Sequence, residues 1–204
     1  SCDSSQVRSA CVIGDDFAGE RIRSSVNDKS ALQTDGQLIA DNQRPTTIKT
    51  RIIAQQQMVV RADREHRTPV DAQTEDRIIA VVKTALASAQ ALVISDYDKG
   101  VVTPRVLAKV LPAAYGRMPV LIDPKTRNFD SYRPATLVTP NHHEALRLAN
   151  LEEDSEVTLQ QAARMIRARL RCDAVLITRG DRGMMLFEGE RDPVHVETAA
   201  REVY

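Results

Sequence analysis

Apolar positions fall in two alternating patterns along this chain. Short runs rich in β-branched residues occur at Ala10–Ile13, Ala91–Ile94, Pro119–Ile122, Thr136–Val138 and Ala174–Ile177. Between most of them stand stretches whose apolar residues recur three and four apart, the spacing that lines one face of a helix. Thr74–Ala89 carries Ile78, Ile79, Val82 and Leu86 in this way. Thr103–Ala114 carries Val106, Leu107, Val110 and Leu111, and Leu159–Leu170 carries Ala162, Met165, Ile166 and Leu170. Strand and helix in alternation predict right-handed βαβ units, hence an α/β fold with a mainly parallel sheet flanked by helices.

One segment breaks the rhythm. Thr46–Ala54 and Met58–Arg64 are both strand-like, and Gln55–Gln57 between them leaves no room for a helix. They predict a β-hairpin, spanning roughly residues 45–65, with one wet face marked by the alternation Val60, Arg61, Ala62, Asp63. Such a hairpin either covers a ligand site or is an antiparallel addition at a sheet edge. Gly183–Glu188 and Val194–Thr198, turned at Gly189, predict a second antiparallel pair, and Arg64–Asp71 reads as a loop. With no interdomain linker or repeat, 204 residues suit one domain.

Composition narrows the function classes. Lys and Arg together number 28, as do Asp and Glu, so no net field draws the chain to nucleic acid or an anionic membrane. No apolar run approaches the roughly 18 residues that span a bilayer. Cys2, Cys11 and Cys172 are far apart and match no metal spacing, which fits a reducing cytoplasm. With three Phe, four Tyr and no Trp, aliphatic residues must build the core, as strands buried on both faces require.

Candidate chemistry gathers where the strands end, the edge at which open parallel sheets bind ligands. Gly14-Asp15-Asp16-Phe17-Ala18-Gly19 follows the first run, Ser95-Asp96-Tyr97-Asp98-Lys99-Gly100 the second and Asp123-Pro124-Lys125 the third. Thr139-Pro140-Asn141-His142-His143-Glu144 and Thr178-Arg179-Gly180-Asp181-Arg182-Gly183 follow the last two. Each has a structural explanation: Asn141 and Glu144 fit an N-terminal capping box, Asp15 or Asp16 a cap, and Gly180 and Gly183 turns of positive φ. Together, Asp96, Asp123, Lys125, Asn141 and Glu144 would combine carboxylates for Mg2+ with a cation for phosphate. Mg2+ takes one or two carboxylates along with phosphate oxygens and water, so a sparse acidic set suits an ion carried by a nucleotide. Adjacent His142 and His143 face different directions on a helix and make no metal pair. No G-x-x-x-x-G-K-[ST], G-x-G-x-x-G or G-x-S-x-G sequence is present, which removes those routes to nucleotide binding and hydrolysis.

These strand-end motifs resemble a known set. Gly14-x-Asp16-x-x-Gly19, Thr139-Pro140-Asn141-x-x-Glu144 and Ile177-Thr178-x-Gly180-x-x-Gly183 are similar to the internal signatures of the ribokinase or PfkB sugar-kinase family. Within it, Pro45–Arg51, Gln57–Glu65, Ser95-Asp96-Tyr97-x-Lys99-Gly100 and Asp123-Pro124-Lys125 resemble the bacterial heptose 7-phosphate kinase branch. The resemblance implies a ribokinase-like fold and a cytoplasmic ATP- and Mg2+-dependent kinase acting on a sugar phosphate. It implies Asn141 and Glu144 beside Mg2+ and the nucleotide phosphates, Asp123 as a further metal carboxylate, and Thr178, Arg179, Gly180 and Gly183 in the nucleotide loop. It sets Lys125 near the transferred phosphate and Asp96 and Lys99 near the sugar phosphate. Lys49 and Arg51 would lie on a hairpin lid that closes over the sugar and also serves as a homodimer surface.

The same resemblance implies elements outside this sequence. Family members begin with a further strand and a Gly-Gly-x-x-x-Asn element that holds the sugar. After a segment like Ala200–Tyr204 they continue into a Gly-Ala-Gly-Asp stretch whose Asp is the general base. No catalytic base is therefore expected before Tyr204, and the chain is expected to be an incomplete kinase domain that binds without turnover. Two other readings stay open: another PfkB-type sugar or nucleoside kinase, and a non-catalytic binding or assembly module. ATP–Mg2+ binding separates the module from both kinases.

Overall fold

The computed structural model describes residues 7–28, 37–55 and 57–198. Cys2 and Ala200–Tyr204 lie outside the described residues. By packing, the chain divides into two units. One comprises residues up to Ala85 together with Lys99–Val106, the other Leu86–Asp98 together with residues from Leu107 onward.

In the first unit, β1 (Ala10–Gly14) runs parallel to β2 (Gln37–Asp41), with α1 (Phe17–Asp28) between them in the chain. The G-x-D-x-x-G sequence owes its residue types to close approach. A Cβ on Gly14 would lie 2.5 Å from the Thr46 nitrogen, and one on Gly19 would lie 2.2 Å from the Gly14 carbonyl oxygen. Asp16 accepts the Gly19 N–H at 2.9 Å, as a helix cap does, and the Thr46 N–H at 3.0 Å. Thr46 in turn accepts the Gly14 N–H at 2.8 Å through its hydroxyl, so this buried residue belongs to the turn and the next strand starts later.

That strand, β3 (Ile48–Ala54), pairs antiparallel with β4 (Gln57–Arg64), and the register shifts between Ile52 and Ile53. The expected hairpin is present. Its expected dry face is not: every described residue of both strands is exposed, including Ile53 at 64% and Val59 at 65%. Alternation in sequence marks which positions share a face, but burial needs a partner surface. α2 (Ala72–Leu86) buries Ile78 and Leu86.

The second unit holds a six-stranded sheet in the order β10-β9-β8-β7-β6-β5. β5 (Leu92–Ser95), β6 (Val120–Asp123), β7 (Ala135–Val138) and β8 (Cys172–Thr178) are parallel. β9 (Met184–Glu188) and β10 (Val194–Val196) continue the sheet antiparallel, as the sequence pattern predicts, with Gly189 at φ +54° in their connection. Val120, Ile122, Val138, Val175 and Ile177 are completely buried, the consequence of covering both sheet faces. α3 (Pro104–Ala114) contributes Leu107, Val110 and Leu111 to this core, and α5 (Glu156–Leu170) contributes Leu159, Ala162, Ala163, Ile166 and Leu170. Met165, grouped by spacing with the inward residues, is 51% exposed, and Ala163 takes the inward place instead. α4 (His142–Ala149) completes the unit's helices.

Candidate active site

Because β5 to β8 are parallel, their carboxyl ends share one edge, and backbone hydrogen bonds lock the emerging loops side by side. The Asp96 N–H donates to the Asp123 carbonyl at 3.2 Å, the Thr139 N–H to Ile122 at 2.8 Å and the Thr178 N–H to Pro140 at 3.1 Å. Asn141 and Thr178 also form an isolated parallel bridge. The sequence-predicted cluster of Asp96, Asp123, Lys125, Asn141 and Glu144 is thus brought together in this unit.

Asn141 caps α4. Its side chain accepts the Glu144 N–H at 2.9 Å, and Glu144 Oε2 accepts the Asn141 N–H at 3.0 Å. The other Glu144 oxygen accepts from Lys125 Nζ, which also lies 4.0 Å from Asp123. Burial pushes the Asp123 carboxyl above its ordinary range, Lys125 opposes this, and Glu144 and Asp96 add to it. Burial disfavours the Lys125 ammonium, yet its bond to Glu144 and the nearby carboxylates outweigh that and raise its pKa. A cation flanked by two carboxylates suits a phosphate with its counter-ion. No group of three or more metal-ligating side chains occurs among the described residues. Asp123 and Glu144 offer carboxylate oxygens, the donor type Mg2+ takes alongside phosphate oxygens and water.

The loop after β8 is shaped by its glycines. Gly183, at φ +75° and ψ −139°, accepts the Arg179 N–H at 2.8 Å through its carbonyl, and a Cβ there would lie 2.2 Å from the Val196 carbonyl oxygen. Gly180 is at φ +63° with open space around it. The Arg179 side chain is buried, with Nη1 3.6 Å from Glu156 and 3.4 Å from the Met185 sulfur, while its Nε has no hydrogen-bond partner.

Asp96 is only 2% exposed and both its oxygens are engaged. Oδ1 accepts the Asp98 N–H at 2.7 Å, and Oδ2 accepts from Tyr132 at 2.5 Å and Asn128 at 3.1 Å. Tyr132 and Asn128 were not legible as site residues; they lie 36 and 32 positions from Asp96, beyond any local pattern.

The remaining expected residues belong to the first unit. Lys99 Nζ pairs with Glu65, and its carbonyl accepts from Arg44 at 2.7 Å. Arg44 also holds the Thr68 carbonyl at 3.1 Å, so one guanidinium fixes two loops. Lys49 and Arg51 sit on exposed β3, opposite Asp63 and Arg61. Asp63 is held below the ordinary carboxylate range by Arg61, with Lys49 and Arg51 reinforcing it. Glu65 closes the Gln57–Glu65 stretch of the resemblance without a role of its own there, and nothing in the spacing around Arg44 marks it.

The model of the pfkB family carbohydrate kinases matches residues 4–204. The chain belongs to the pfkB family. Bifunctional protein HldE of Geotalea uraniireducens is 40% identical over 202 residues, covering 98% of this chain and 40% of its own length. The corresponding protein of Pelobacter propionicus is 38% identical over 200 residues, 98% of this chain and 41% of its own. The chain thus spans about two fifths of the curated relatives it matches. Among solved structures, ribokinase from Giardia lamblia superposes with a TM-score of 0.75 at 14% identity, over 99% of this chain and 63% of its own. Escherichia coli phosphofructokinase-2 in complex with fructose-6-phosphate gives 0.72 at 15%, over 98% and 65%. Arabidopsis thaliana ribokinase complexed with ribose and ATP gives 0.70 at 15%, over 97% and 63%. At these identities the likeness is one of fold, and the fold is ribokinase-like.

Proposed function

We propose that this chain is the kinase part of a protein that transfers the γ-phosphoryl group of ATP to the anomeric hydroxyl of D-glycero-D-manno-heptose 7-phosphate, a cytoplasmic step toward ADP-heptose and the lipopolysaccharide core. The observation that carries the reading is 40% identity to a bifunctional protein HldE across 98% of the chain. The hairpin and the Ser95–Gly100 motif lie inside that match.

Phosphoryl transfer demands positioning and charge stabilisation more than covalent help from the protein. Lys125 is assigned to the transferred phosphate, with Glu144 and Asp123 beside it to bind Mg2+, which when present neutralises charge between the phosphates. Asn141 holds Glu144 in place, and Thr178, Arg179, Gly180 and Gly183 form the nucleotide loop. Lys49, Arg51 and Lys99 are assigned to the sugar phosphate, on and beside a hairpin lid that pairs with a second copy. Asp96 is assigned to the same end, as the anchor of its loop.

The test has two arms. Calorimetry of the chain with ATP–Mg2+ is expected to give micromolar binding, and silence would favour an assembly module. Phosphoryl transfer to heptose 7-phosphate, fructose 6-phosphate and ribose, by the chain extended with whatever follows it in its gene, then decides the acceptor. Turnover of another sugar without the heptose would replace the substrate while keeping the reaction.

A further inference from the structure

Tyr132 is completely buried, just after the 3-10 turn Thr126–Ser131, and its hydroxyl is a junction between two loops of the site. It donates to Asp96 Oδ2 at 2.5 Å and accepts the Lys125 backbone N–H at 3.2 Å. A phenol has a single proton. Commitment of that proton to a carboxylate leaves a lone pair facing the Lys125 amide, so the two bonds orient each other. Asn128 closes the same network through its own bond to Asp96 Oδ2 at 3.1 Å. Burial and the adjoining Asp96 carboxylate hold the phenol far above its ordinary pKa, which keeps that proton in place.

Lys125 is tethered twice as a result. Its peptide N–H is held by Tyr132, and its ammonium reaches Glu144 and lies 4.0 Å from Asp123.

We propose that Tyr132 is a positioning residue: its hydroxyl, anchored on Asp96 at the end of β5, fixes the Lys125 peptide and thereby where the ammonium meets phosphate. The phosphate half of this statement rests on the function assigned above to Lys125.

Tyr132→Phe keeps the ring in its place and removes only the junction. Amide hydrogen exchange by NMR is expected to show the Lys125 amide exchanging about five- to tenfold faster, the worth of one lost hydrogen bond. Val175 and Ile177 amides in the core should hold their rates. ATP–Mg2+ affinity should fall by about the same factor while adenosine affinity stays unchanged, a split that general loosening of the fold would not give. On a Lys125→Met background the Tyr132→Phe effect on ATP should vanish. If Tyr132→Phe does not fold, Asp96→Ala keeps the phenol and removes the acceptor of its proton, and the Lys125 amide is expected to loosen by a similar factor. An unchanged Lys125 amide, or equal losses for ATP and adenosine, overturns the proposal. A wild-type chain that binds no ATP–Mg2+ instead defeats the function assigned to the site, and the exchange comparison still decides whether Tyr132 holds Lys125.

Discussion

Asn141 and Glu144 hold each other at both ends, with the Asn141 side chain on the Glu144 amide at 2.9 Å and the Glu144 carboxylate on the Asn141 amide at 3.0 Å. The second Glu144 oxygen is thereby aimed at Lys125. One residue thus serves helix initiation and site electrostatics together, and the two roles separate by substitution.

Asn141→Ala removes the cap and should cost about 1 kcal/mol of stability. Glu144→Gln keeps a side chain able to accept the Asn141 N–H but removes the charge facing Lys125. It should leave the urea midpoint nearly unchanged and weaken ATP–Mg2+ binding about tenfold, roughly 1.4 kcal/mol. Chemical denaturation and calorimetry on both variants check the separation.

Gly180 and Gly183 share positive φ but differ in surroundings. Gly180→Ala meets open space, so only its backbone conformation costs, about 1 kcal/mol. Gly183→Ala would press a methyl group against the Val196 carbonyl oxygen from a conformation open essentially to glycine alone. Its cost should exceed about 3 kcal/mol, and the β9–β10 pairing should loosen first. Thermal unfolding ranks the two.

Asp16 is held below the ordinary carboxylate range by the Thr46 side chain first, and by the Gly19 and Thr46 amides. A carboxyl with a depressed folded pKa stabilises the fold above its unfolded value, about 3.9, and that contribution is lost as pH falls through the folded value. Asp16→Asn should therefore be less stable than wild type near neutral pH, with the gap closing in acid. Urea midpoints across that range measure it, and a gap that widens in acid would refute the assignment.

The exposed hairpin gives a prediction in which stability and assembly diverge. Ile53 and Val59 bury little within the chain, so Ile53→Lys and Val59→Lys should change stability by less than about 0.5 kcal/mol. If the hairpin pairs two copies, wild type should sediment as a dimer and both variants as monomers. A monomeric wild type would end the dimer proposal.

Much of the architecture was legible because its signals are local. The β-branched runs marked five strands to within a residue or two, and the three-and-four spacing of Val106, Leu107, Val110 and Leu111 marked the buried face of α3. β2 was missed because only Ile39 in Gln37–Asp41 is β-branched and both ends of the strand are polar. The packing of Lys99–Val106 with the first unit was invisible, since no boundary composition surrounds it. Residues in strand-end motifs could be named, whereas Tyr132 and Asn128 in the second unit, and Arg44 separately in the first, act on partners far away in sequence. Distance along the chain hides such partners even when chemistry would favour them.

Lys99–Val106 packs with residues that precede Ala85 while its chain neighbours on both sides pack with the other unit. The stretch is stitched in by the Val70 N–H on the Gly100 carbonyl at 2.9 Å, by Arg44 on the Lys99 carbonyl, and by Thr103 with Glu75. A polypeptide cut between Ala85 and Leu86 would yield two fragments, and the second would carry a built-in piece of the first one's core. Two separately expressed fragments meeting at that bond should find each other and reassemble, so the break in covalent continuity becomes a handle for complementation.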